Sequence, residues 1–158
     1  MKKKILFVCL GNICRSPAAE AIFLKLIRSK GVDDQFFVDS AGVGNWHAGN
    51  KADSRMRIFA KKRGIIIESI SRQISLEDLE NFDLILTMDK DNYQAVQLMA
   101  KQSGVNTKAI IKPMLSYSNE NIMDVPDPYY GGDLGFENVL DLLEEACALL
   151  LDKLIYPG

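Results

Sequence analysis

Four consecutive apolar residues, Ile5-Leu6-Phe7-Val8, run straight into Cys9-Leu10-Gly11-Asn12-Ile13-Cys14-Arg15-Ser16-Pro17, and the helix-forming stretch from Ala18 to Phe23 follows. A short apolar run bounded by turn residues reads as a buried strand over 4–8, and the sequence from Pro17 as a helix over 17–30 stopped by Gly31. A strand that passes through so short a loop into a helix must bury its faces against further strands and helices. The same alternation continues. Strands are predicted over 36–40, 84–86 and 109–111, the last ending at Pro113. Helices are predicted from Asp53 to near Gly64 and over 89–102. In the last helix Phe136, Val139, Leu140, Leu143, Cys147, Leu150 and Leu154 recur at helical spacing. The fold class that follows is α/β. It is a single three-layer domain over 1–158, with a four-stranded parallel sheet and helices on both faces. The loop after the first strand then lies at the carboxyl edge, where such sheets bind ligands.

That loop has the chemistry of an anion cradle with a nucleophile at its floor. Successive backbone N–H groups in a tight turn form a nest for a tetrahedral oxyanion, and the following helix adds its free N–H groups and positive dipole end. Gly11 and Asn12 tolerate the positive φ such a loop needs. Arg15 can grip two phosphate oxygens through its planar fork. Cys9, below the anion, sits in a field that favours thiolate over thiol. A lone cysteine is more often a buried strand residue. Here the strand, the turn residues, Arg15, Ser-Pro and the helix all accompany it.

The nine residues Cys9 to Pro17 resemble the signature of the low-molecular-weight protein tyrosine phosphatases. Asp127-Pro128-Tyr129-Tyr130 resembles that family's second marker, and Ser40-Ala41-Gly42, Trp46-His47 and Arg72-Gln73-Ile74 also resemble family positions. The likeness therefore runs from the first strand to the last helix. It implies hydrolysis of phosphotyrosine monoesters through a phosphocysteine on Cys9. Arg15 and the loop amides would hold the phosphate, and Asp127 would be general acid and then base. A thiolate that attacks a phosphate ester must expel an alkoxide, so an acid on the far side of phosphorus makes chemical sense of Asp127. A carboxyl group facing a bound dianion holds its proton more tightly than one in water.

The remaining residues take supporting roles under the same resemblance. Ser16 would hydrogen-bond the Cys9 sulfur, or cap the helix, or both. Asn12 would brace the loop with Ser40 as partner. Leu10, Ile13, Trp46, Tyr129 and Tyr130 would grip an aromatic ring in a slot too deep for phosphoserine, although Trp46 could instead be a loop anchor. Gly11 and Cys14 complete the substrate-binding loop. Cys14 either packs under the loop or forms the reversible disulfide with Cys9 that the family uses against overoxidation. Prolines that family members often carry are replaced by Lys51 and Ser54, which predicts a looser rim. Asp53 and Arg55 would still pair at the helix start.

Three readings compete with the favoured one. Arsenate reductase chemistry on the same loop needs further redox cysteines, and none lies between Cys14 and Cys147. Phosphoarginine phosphatases resemble this loop but carry threonine where Ile13 stands. A phosphate-binding module without activity would not need Cys9, Arg15 and Asp127 together.

Composition bounds the rest. The formal net charge of −2 gives no reason to expect nucleic acid as a partner. No apolar stretch suggests a membrane span, and the run from Lys2 to Leu10 is too short for a signal peptide. The expected partners are phosphotyrosine proteins or peptides, with phosphate or other oxyanions in the loop. Three cysteines without a disulfide framework fit a reducing cytoplasm, with signal-independent secretion left open. Cys9 and Cys14 lack a second ligand pair for zinc, and the positive field of the loop replaces a metal, so neither metal nor cofactor is expected. His47, the one histidine, reads as a residue of the pocket mouth or a turn hydrogen-bonder, and Cys147 as core.

Overall fold

The computed structural model describes residues 2–119, 121–128 and 131–156. Four parallel strands, β1 (Lys3–Cys9), β2 (Phe36–Gly42), β3 (Leu84–Thr87) and β4 (Ile110–Pro113), form one sheet in the order β2-β1-β3-β4. The helices are α1 (Arg15–Ser29), α2 (Ser54–Lys62), α3 (Leu76–Asn81), α4 (Lys90–Gln102) and α5 (Gly132–Ile155). Short 3₁₀ turns occupy Asp33–Gln35 and Met114–Tyr117.

β1 is central, and its pleat divides the core. Ile5 and Phe7 point to one face and pack with α1, α2 and α5; Leu6 and Val8 point to the other and pack with Leu79 of α3 and Val96 of α4. All four residues are fully buried, which explains the continuous apolar run instead of an alternating one. The α5 stripe predicted from its spacing is buried from Phe136 to Leu150. Each such side chain contributes about 1.5–3 kcal/mol of burial.

Helix boundaries follow local chemistry. Asp53 caps α2, its Oδ1 accepting the N–H groups of Arg55 and Met56 at 2.8 and 3.3 Å. Gly31 and Gly64 take the left-handed conformation just past α1 and α2. The sequence reading missed α3 because six residues, Leu-Glu-Asp-Leu-Glu-Asn, are too few to show a helical period. Its start was still legible, since the Asp78 carboxylate accepts the Ser75 N–H at 2.8 Å in a capping-box spacing.

The connection from β1 leads to β2 on one side, while β3 leads to β4 on the other. The carboxyl ends of β1 and β3 therefore flank the crevice where this topology receives ligands. Cys9 ends one strand there, and Met88-Asp89 follows the other.

Candidate active site

Cys9 is the last residue of β1 and is almost fully buried. Its Sγ accepts the backbone N–H of Asn12 at 3.2 Å and lies 3.0 Å from Ser16 Oγ. The Asn12 N–H thus donates to the sulfur, and the Ser16 hydroxyl stands within hydrogen-bond distance of it. The loop turns on Asn12, whose φ of 58° is left-handed. Gly11 does not share that conformation, contrary to the sequence expectation. Its lack of a side chain serves a different end, since a Cβ there would stand 3.0 Å from His47 Cδ2.

Asn12 is the brace. It donates from Nδ2 to Ser16 Oγ at 2.7 Å and to Ser40 Oγ at 3.0 Å, and its Oδ1 accepts the Arg72 N–H at 3.0 Å. Ser71 Oγ adds a bond to the Asn12 carbonyl. With Asn12 buried, these bonds meet the demand that polar groups inside a protein be partnered. Behind Ser40, the hydroxyl donates to Glu20 Oε1 at 2.6 Å. Burial pushes the Glu20 carboxyl up to about 7. Gly42 lets β2 come this close, because a Cβ there would meet Leu10 O at 2.9 Å and Asn12 N at 3.0 Å.

Arg15 opens α1 and is buried. Its Nη1 donates to Asp89 Oδ2 at 2.7 Å and to the Val125 carbonyl at 3.0 Å. Among the described residues no hydrogen bond occupies Nε or Nη2. Asp89 in turn caps α4 through Oδ1, which accepts the Asn92 N–H at 2.8 Å. The guanidinium therefore ties together the ends of β1 and β3 and the segment before Asp127.

These groups open on a pocket of about 240 Å³. Cys9, Gly11, Cys14 and Arg15 form its inner wall, while Leu10, Ile13, Trp46, His47 and Asp127 stand around them. Trp46 is 68% exposed, and its indole lies over Gly44, where a Cβ would come within 1.8 Å of the ring. Asn12, Ser16 and Ser40 sit behind the wall as support. Tyr129 and Tyr130 lie outside the described residues. Hollows of about 700 and 820 Å³ are larger, but no cysteine lines either. Chemistry, not size, singles out the smaller pocket.

The three cysteines differ sharply. Burial, and after it the charge of Asp53, pushes the Cys14 thiol up to about 12, so it stays protonated. Cys147 is fully buried, its thiol likewise raised by burial, and its Sγ donates to the Ala19 carbonyl at 3.8 Å. The rim segment around Lys51 is tied to residues 70 and 71 by backbone bonds. Gly49 N–H donates to Ser71 O at 2.9 Å and Ser71 N–H to Asn50 O at 2.8 Å, and Lys51 bridges to Ile70. Arg55 and Asp53 do pair, at 3.5 Å.

Sequence reasoning missed Asp89, Ser71 and Glu20. Asp89 had a signal, because it follows a strand at the carboxyl edge of the sheet. Ser71 and Glu20 act through the tertiary fold and had none.

A family model described as low molecular weight phosphotyrosine protein phosphatase matches residues 4–156. The low molecular weight protein-tyrosine-phosphatase YfkJ of Bacillus subtilis is 43% identical over 149 residues, 93% of this chain and 92% of that one. A crystal structure of a protein tyrosine phosphatase from Entamoeba histolytica superposes with a TM-score of 0.89 at 44% identity, covering 99% of both chains. Drosophila arginine phosphatase superposes with a TM-score of 0.93 at 32% identity over the full length of both.

Proposed function

The chain belongs to the low molecular weight phosphotyrosine protein phosphatase family, and from that premise we propose that residues 1–158 act as one domain that hydrolyses phosphotyrosine monoesters on Cys9. The observation that carries the reading is the convergence of Asn12 N–H and Ser16 Oγ on Cys9 Sγ beside the Arg15 guanidinium in one pocket.

In the first step the Cys9 thiolate attacks phosphorus. The S–P bond forms as the P–O bond to tyrosine breaks, and Asp127 gives its proton to the leaving phenolic oxygen. Arg15, through Nε and Nη2, and the loop N–H groups hold the equatorial oxygens, where charge is greatest in the transition state. In the second step Asp127, now a carboxylate, takes a proton from water as the water oxygen bonds to phosphorus. The S–P bond breaks, inorganic phosphate leaves, and the Ser16 hydroxyl stabilises the departing thiolate. Asn12 and Ser40 hold the loop in shape, with Leu10, Ile13 and Trp46 around the ring.

Resemblance to an arginine phosphatase supports a second substrate, phosphoarginine. Ile13 favours the first, because it lines the pocket with apolar surface suited to a phenyl ring. The deciding experiment compares phosphotyrosine, phosphoserine and phosphoarginine peptides in the presence of EDTA, with Cys9→Ser as control. Turnover of phosphotyrosine alone, lost in the variant, is expected. A preference for phosphoarginine would reverse the assignment of substrate, and turnover retained in Cys9→Ser would remove Cys9 as nucleophile.

A further inference from the structure

Three hollows lie edge to edge on the face that carries the pocket. The pocket shares Leu10, Arg15 and Asp127 with a recess of about 320 Å³. That recess shares Asp89, Asp124 and Pro126 with a groove of about 820 Å³. A chain seated in the pocket can therefore continue across the recess into the groove.

The recess is acidic. Asp89, Asp91, Asp124 and Asp127 line it against the single guanidinium of Arg15. Asp89 is already paired with that guanidinium, and Asp124 Oδ1 accepts the Lys90 N–H at 3.0 Å. Asp91 is exposed at the first turn of α4. A phosphate dianion in the adjacent pocket would add further negative charge. The group that suits this recess is a cation with N–H donors.

The groove is apolar. Tyr93, Pro113, Ile122, Met123 and Pro126 line most of it, with Lys90 and Gln94 among its polar residues. Ile122 and Met123 are 43% and 60% exposed, unusual for large apolar side chains standing together beside a candidate active site.

We infer that recess and groove form a docking track for the polypeptide next to the phosphotyrosine. The recess takes a lysine or arginine side chain, and the groove takes the apolar side chain beside it. The inference rests on the phosphatase reading of the pocket and adds a sequence preference to it. Acidic flanks are disfavoured by the same charges.

The test measures kcat/KM on phosphotyrosine peptides that differ only in a flanking pair, Lys-Leu, Lys-Ser, Glu-Leu or Ala-Ala, set before or after the phosphotyrosine. Wild type is compared with Met123→Ser, Asp91→Asn and Asp91→Lys, and p-nitrophenyl phosphate serves as the substrate without flanks. Lys-Leu on one side should exceed Ala-Ala by about five- to tenfold. Met123→Ser should erase the advantage of Leu over Ser. Asp91→Asn should reduce the advantage of Lys, and Asp91→Lys should turn preference toward Glu. All three variants should keep the wild-type rate on p-nitrophenyl phosphate. Equal rates on every flank, or a Lys-Leu preference that survives the variants, would overturn the track while leaving the phosphatase reading intact. Failure of wild type to hydrolyse any phosphotyrosine peptide would overturn both.

Discussion

The loop from Cys9 to Ser16 and the segment from Val125 to Pro128 face the same pocket but are held in different ways. The loop is braced from behind by Ser40, Ser71 and Arg72, all acting on Asn12. The segment is anchored at Val125, whose N–H donates to Met88 O at 2.7 Å and whose carbonyl accepts from Arg15, and at Pro128, whose carbonyl accepts the Gly131 N–H at 3.1 Å. Asp127 lies between those anchors. The position of Cys9 is thus set by the folded core, whereas that of Asp127 depends partly on the Arg15 guanidinium that lines the same pocket.

The comparison breaks most completely at the sulfur. Cys9→Ser should lower phosphotyrosine turnover by roughly 10⁴-fold or more, with an unchanged thermal midpoint, because the hydroxyl fits the same bonds. Residual activity near wild type in a steady-state assay would place the nucleophile elsewhere. On the opposite side, Asp127→Ala should slow substrates with poor leaving groups by about 10²–10⁴-fold and barely affect those with good ones. A Brønsted series over substituted phenyl phosphates reads this directly. Equal loss across the series would remove Asp127 as the acid.

Bracing itself can be tested by Asn12→Ala. The substitution removes three side-chain hydrogen bonds and leaves Ser40 and the Arg72 N–H short of partners. A stability loss of about 2–4 kcal/mol in urea unfolding is expected. A loss below ~1 kcal/mol would mean the loop does not depend on this residue.

What could be read in advance follows the same division. The strand, the loop and α1 were legible because consecutive residues carry them: an apolar run, turn formers, then helix formers. Cys9 and Arg15 drew attention because strand, turn residues, Ser-Pro and helix accompany them, and Asp127 only beside that loop, since Asp-Pro alone reads as turn chemistry. Asn12 and Ser40 as partners came from resemblance, since nothing local joins residues 28 apart in sequence. Asp89, Ser71 and Glu20 stayed hidden because their roles arise only when β1, β2 and β3 come together. The short α3 escaped because one and a half turns carry too little periodicity.

Glu20 offers the finest probe of the braced side, and its effect is one of pH. Burial raises its carboxyl to about 7, the nearby charge of Asp39 adds to this, and hydrogen bonds from Ser40 and Ser69 oppose it. The unfolded chain binds the same proton only below an ordinary glutamate value near 4.3. The folded protein therefore holds that proton more tightly, so the stabilisation is fully present below about pH 4.3 and is lost as pH rises through about 7. Since part of the carboxyl reaches solvent, the loss should be on the order of 2 kcal/mol or less. Glu20→Gln keeps the shape and stays neutral, so its stability should lack this decline between pH 5 and 8. Urea midpoints of both proteins across that range measure the difference. Parallel curves would show that Glu20 titrates as it does in water. A divergence would show that the Ser40 brace behind Cys9 rests on a group that changes charge near neutrality.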